Sequence, residues 1–191
     1  MSYSTDWFTK NIPIWEATLA DLKGKPIKAV ELGSYEGRSA VWFAKNILTH
    51  PDAELTCVDA WKDGVKTTDL QGTKPDWKAI KDNFITNTAG HTDKIGVYDG
   101  RTIDFLMSQP KESVEFVYVD ASHTAHDALI DGVLSHLILK PGGIIIFDDY
   151  LWGALNHAPN VPKGAIDAFM ECFAEQYELL SCGYQVVLRK K

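Results

Sequence analysis

Residues 116–123 read FVYVDASH and residues 142–150 read GGIIIFDDY, two apolar runs that each end in acid. Short apolar, β-branched runs bounded by turn residues predict strands buried on both faces. In an open parallel α/β sheet, ligands bind in the crevice outside the carboxyl ends of the strands. Asp120, Asp148 and Asp149 should therefore converge on that crevice. Converging carboxylates repel one another unless a cation sits between them, and an all-oxygen cluster suits magnesium, calcium or manganese. The three aspartates are the candidate metal ligands.

Working outward, IKAVEL, ELTCVDA and KIGVYDG are further strands, with VEFVYVDA and GGIIIFDD completing a set of five. Between them lie helical patterns: NIPIWEATLADLK, SAVWFAKNIL, DWKAIKDNFITNT, RTIDFLMSQ, ALIDGVLSHLILK and AIDAFMECFAEQY. Alternating strand and helix predict a doubly wound, Rossmann-like α/β fold with helices on both faces. ELLSC and YQVVLRK, joined through Gly183, add a hairpin, which makes seven strands and sets an antiparallel C-terminal strand at the sheet's edge. Residues 1–191 form one domain, with residues 1–25 a helical segment that is a candidate substrate lid. The Gly- and Pro-bearing stretches Lys62–Pro75 and Trp152–Gly164 are the linkers able to cover a site.

Composition narrows the function. A net charge of −7 without a long basic run gives no footprint for nucleic acid and leaves a small-molecule partner. Cys57, Cys172 and Cys182 are odd in number and set in apolar surroundings, as expected for reduced thiols in a cytoplasmic protein. No run reaches the ~20 apolar residues of a membrane span, and the N-terminus lacks a basic start and apolar core. A homo-oligomer stays open.

After the first strand comes Glu31-Leu-Gly33-Ser34-Tyr35-Glu36-Gly37-Arg38-Ser39, a loop that runs into a helix. Its N–H groups and the helix N-terminus should receive an anion. A dinucleotide fingerprint would need glycine where Tyr35 and Arg38 stand, and a P-loop would need a fourth spacer and a lysine, so NAD and ATP are disfavoured. Asp59 follows Gly37 by 22 residues at the end of the second strand, where a carboxylate can bind ribose hydroxyls.

With this loop, ELGSYEGRSAV, and the aspartates in order, residues 29–149 resemble class I S-adenosylmethionine-dependent methyltransferases. The likeness is greatest to the small metal-dependent O-methyltransferases of the catechol and macrocin types. The resemblance implies that Ser39, Gly33, Gly37 and the backbone near Ser34 and Tyr35 hold the methionine part, with Glu31 near its ammonium. It implies that Asp59 binds the ribose, and that Trp61 and the Asp99-Gly100-Arg101 turn flank the adenine. It places magnesium or a similar ion on Asp120, Asp148 and Asp149.

A divalent ion would lower the pKa of a hydroxyl and position it for in-line attack on the methyl carbon, which favours an acceptor with vicinal hydroxyls. His123, where the catechol enzymes carry lysine, falls on the first turn of the following helix and is the general-base candidate. Asp-Ala-Ser-His resembles the Asp-x-Ser-His of methyltransferases associated with sugars and antibiotic glycosides, so a sugar or glycoside is the expected acceptor and a catechol the alternative. His126 and His157, with Asn156, are further candidates. Asp120 could instead cap a helix, but Ser122 and Thr124 can do so. Trp7, Phe8, Trp15 and Trp152 read as core before pocket lining. The rival functions are a metal-independent methyltransferase, a cofactor-binding module without catalysis, and a metal-dependent hydrolase.

Overall fold

A computed structural model describes residues 2–62, 75–153 and 160–191. Its centre is one seven-stranded sheet: β1 Lys28–Leu32, β2 Glu54–Asp59, β3 Ile95–Asp99, β4 Val114–Val119, β5 Leu139–Phe147, β6 Tyr177–Cys182 and β7 Val186–Lys190. The order is β3-β2-β1-β4-β5-β7-β6, parallel from β3 to β5. The fold is thus the expected Rossmann-like one. Strand β7 is antiparallel to β5 and β6, and it lies one place in from the edge, with β6 outermost.

Alternation within the strands explains the two cores. In β4, Phe116 and Tyr118 join one buried cluster while Val117 and Val119 join the other; in β5, Ile144 and Ile146 oppose Ile145 and Phe147 in the same way. A sheet covered on both faces needs apolar residues on both, which is why its strands read as continuous runs. The helices are α1 Ile12–Thr18, α2 Arg38–Asn46, α3 Trp77–Thr88, α4 Thr102–Ser108, α5 Ala125–Ile138 and α6 Pro162–Cys172. Asp76 and Thr124 cap α3 and α5 by accepting the N–H groups of Ala79 and Asp127.

Two boundaries differ from expectation. The segment predicted as one helix over 11–23 is α1 between the 3-10 turns Thr9–Asn11 and Ala20–Leu22. Thr18 bonds back to the Ile14 carbonyl at 2.7 Å, a contact that bends helices. Helix α5 starts at Ala125 and stops at Ile138, because Leu139 already pairs with Val114 in the sheet.

The switch point of the sheet lies between β1 and β4, where the strand order reverses. There the chain leaves β1 through Gly33, at φ +84°. A Cβ at Gly33 would sit 2.1 Å from the Asp120 carbonyl oxygen and 2.6 Å from the Ala121 Cα, both backbone atoms. Close approach and left-handed geometry both demand glycine. Gly33→Ala is expected to cost at least about 3 kcal/mol, measured as the loss of unfolding free energy in urea.

Candidate active site

One cavity of about 790 Å³ opens over the switch point. Its first wall is the glycine loop. Gly37, at φ +78°, turns the chain into α2, and its N–H bonds the Ser34 carbonyl at 2.7 Å. Asp59 Oδ2 accepts the Ser34 and Tyr35 N–H groups at 2.9 and 3.0 Å, and its Oδ1 accepts the Trp61 N–H at 2.9 Å. A carboxylate has about four acceptor sites, so at most one remains for a ligand. Burial raises the Asp59 pKa against these bonds and the nearby Ala60 N–H. Trp61 is buried against Phe84 and donates its indole N–H to the Tyr35 carbonyl.

Beneath the loop, Glu31 accepts the Ser39 hydroxyl at 2.5 Å and the Cys57 thiol at 3.4 Å. It sits in the interior, while Ser39 lines the cavity. Because Ser39 gives its hydrogen to Glu31, it turns acceptor lone pairs toward any ligand. The Ser34 hydroxyl is buried beside Glu31 and Cys57.

The second wall holds the acids. One carboxylate oxygen each of Asp120 and Asp149 and one ring nitrogen of His123 lie within 4.8 Å of one another, a grouping able to hold a metal ion. Asp148 is turned away from this grouping: its Oδ2 accepts the Tyr118 hydroxyl and, at 3.0 Å, the Gln185 amide, and its Oδ1 accepts the Asp149 N–H at 2.7 Å. Gln185 in turn accepts the Trp15 indole N–H at 2.9 Å. Tyr118 also bonds Asp120 at 3.0 Å. One hydroxyl hydrogen cannot serve two ionised carboxylates at once, so the Asp120–Tyr118–Asp148 chain favours holding an extra proton. Burial and then the charges of Asp148 and Asp149 push the Asp120 carboxyl well above its ordinary range, and burial raises Asp148. Asp149 goes the other way: burial opposes it, but the His123 ring, the Tyr184 hydroxyl and the Lys10 charge hold it low.

His123 lies in the loop before α5 rather than on its first turn, since Thr124 is the cap. Its Nε2 is 2.9 Å from Asp149 Oδ2 and its ring is 4.9 Å from that of Trp152. His126 is exposed on the first turn and pairs with Asp127. Tyr184 donates to Asp149 at 2.9 Å and carries Lys10 Nζ 3.5 Å above its ring. Asn156, His157 and residues 63–74 lie outside the described residues.

At the end of β3, Asp99 bonds Lys81 at 2.5 Å and stays outside the cavity wall, while Gly100 and Arg101 line it. Arg101 faces Asp104 at 3.8 Å on the surface. Trp7, Phe8 and Trp152 line the cavity, whereas Trp15 is core, edge-on to Phe8 and Tyr118.

Residues 30–150 match the family model of a methyltransferase domain. The chain belongs to this methyltransferase family. It is 28% identical over 174 residues to the tapetum-specific methyltransferase 1 of Arabidopsis thaliana, covering 89% of this chain and 68% of the relative. Among solved structures it resembles the O-methyltransferase from Bacillus cereus in complex with SAH, at 16% identity and a TM-score of 0.69, over 99% of this chain and 84% of that one. It also resembles the O-methyltransferase TomG from Streptomyces achromogenes, involved in tomaymycin synthesis and solved with SAM, at 15% identity and a TM-score of 0.71, over 98% and 82%.

Several residues of the methyltransferase site escape a reading by motif. Tyr118 stands two before Asp120 on one strand, so period two could have brought it to the same face. Gln185, Tyr184 and Lys10 carry no such signal; they arrive by tertiary packing.

The methyltransferase's buried Glu31 makes a testable stability claim. Burial, only partly offset by its hydrogen bonds, raises its pKa to about 7 from 4.5. Between those values the folded state binds more protons than the unfolded one, so stability falls as pH rises through this window. The gap amounts to about 3 kcal/mol. Glu31→Gln should flatten that slope and lie above the wild type at pH 8, measured by urea unfolding at pH 5 and 8.

Proposed function

We propose that this methyltransferase moves a methyl group from S-adenosylmethionine to a hydroxyl oxygen of a small acceptor with neighbouring hydroxyls, assisted by a divalent ion. The observation that carries the reading is the single cavity with the glycine loop on one wall and Asp120, His123 and Asp149 on the other. The loop fits the cofactor: Gly33 leaves no Cβ in the cradle, and Ser39 offers an acceptor suited to an ammonium group. Asp59 can accept one ribose hydroxyl.

The acids fit an ion as well, since a cation would offset the burial and the like charges that push the Asp120 carboxyl up. Asp120 and Asp149 would hold it, and Asp148 would brace them through Tyr118. When bound, such an ion lowers the pKa of the acceptor hydroxyl and fixes its place. The hydroxyl oxygen attacks the methyl carbon in line, the carbon–sulfur bond breaks, and the thioether leaves with its electron pair. His123 takes the hydroxyl proton. Asp149 Oδ2, 2.9 Å from Nε2, orients the ring and stabilises the imidazolium that forms.

Trp7, with 51% of its surface exposed, and Trp152 beside His123 offer flat faces to an acceptor ring. With the Asp-Ala-Ser-His sequence, these favour a sugar or glycoside over a catechol. Residues 2–10 act as the lid. Ser4 bonds Glu36, Arg38 bonds Asp6 and Thr9, and Ser2 bonds Asn87. The Arg38 bonds are exposed and individually weak, whereas Ser2 and Ser4 are held on the buried side chains Asn87 and Glu36.

A second reading, metal-independent transfer with His123 alone as base, draws on Asp149, whose two oxygens already face Tyr184 and His123. Chelation separates the two. In an acceptor screen over sugars, glycosides and catechols, EDTA should abolish turnover and magnesium or manganese restore it; full activity in EDTA selects the second reading. Asp149→Ala should lower kcat at least about a hundredfold while calorimetry finds S-adenosylmethionine affinity within about threefold of wild type.

A further inference from the structure

Away from the acids, the cavity wall contains a carboxylate that the transfer chemistry leaves unused. Asp131 lies on α5, about 9 Å along the axis from its start at Ala125. It is 2% exposed, and it lines the cavity. Its Oδ1 accepts the Thr102 hydroxyl at 2.7 Å. No protein donor bonds its other oxygen among the described residues, and no lysine or arginine pairs with it. The neighbouring charge acting on it is Asp127, which is of like sign. A carboxylate so placed can accept a donor from a ligand in the cavity.

We propose that Asp131, seated by Thr102, accepts a hydrogen bond from the 6-amino group of the cofactor's adenine. The proposal rests on the reading above that this cavity takes S-adenosylmethionine. Three observations point to the base over the rest of the cofactor. Thr102 follows Gly100 and Arg101, the turn at the end of β3 that lines the cavity. The acid of that turn, Asp99, is tied to Lys81 outside the wall and cannot read the base. Ile103 and Ile130, next in sequence to Thr102 and Asp131, also line the cavity and give apolar faces for a flat ring. The ribose has its own acid in Asp59, and the ammonium has Ser39. Asp131 is therefore a specificity residue, acting on binding and not on methyl transfer.

The experiment is calorimetric titration with two ligands: S-adenosylhomocysteine and its analogue with hydrogen in place of the 6-amino group. A hydrogen bond to a charged acceptor is worth roughly ten- to a hundredfold in affinity. Wild type should prefer the amine-bearing ligand by that factor, and Asp131→Ala should bind the two within about threefold. Equal binding of both by wild type, or a full preference surviving in Asp131→Ala, overturns the proposal. Should Asp131→Ala fail to fold, the isosteric Thr102→Val decides: a reduced preference supports the seat, and an unchanged one overturns it. Wild type that binds neither ligand overturns the cofactor reading instead, so the two failures are distinct.

Discussion

Repulsion among three half-buried carboxylates is the constraint on which the rest of this structure depends. Asp120 and the Asp148–Asp149 pair follow adjacent strands, and the sheet ladder continues into them: the Asp120 N–H bonds the Leu32 carbonyl and the Asp148 N–H bonds the Val119 carbonyl. Register therefore forces like charges together. The molecule answers with donors drawn from both chain ends. Trp15 orients Gln185, which bonds Asp148, and Tyr184 with Lys10 above it faces Asp149. The position of β7 beside β5 makes this feasible, because it delivers the 184–185 turn to the same sheet edge. A sheet with β6 and β7 exchanged would leave the acids without these partners.

The glycine loop solves the opposite problem. A loop that must let a ligand approach its backbone has few side chains to hold it, and its N–H groups need acceptors until the ligand comes. Asp59 supplies them from the end of β2, and Glu31 supplies a buried partner for Ser39 from below. The same two acids are therefore structural before they are functional. Their cost is desolvation, which raises both pKa values.

The alternation of strand and helix and the glycine loop were legible because each rests on local chemistry: apolar runs with acid ends, and small residues before a helix. The start of α5 was read too early, with His123 on its first turn, because Ser122 and Thr124 can both cap and only packing chooses Thr124. The donor set was less legible. Sequence spacing groups Asp120, Asp148 and Asp149, whereas the geometry groups Asp120, His123 and Asp149, because the chain leaves the extended conformation at Asp149. Asp149, at φ +58°, turns back toward His123 while Asp148 faces Tyr118 and Gln185. Asp99 went the same way: its place at a strand end was correct, but Lys81 draws its side chain out of the cavity.

What the sequence alone determined is the alternation of strand and helix, the two-sided burial of the sheet, and the edge at which the acids gather. These depend on residue type and period, which are properties of the chain read in order. Tertiary structure decided which oxygen faces which donor. Asp131 reaches the cavity because α5 packs against α4 and Thr102, and Gln185 reaches Asp148 across 37 residues of chain. Such pairings arise from packing between elements remote in sequence, where no local pattern records the partner.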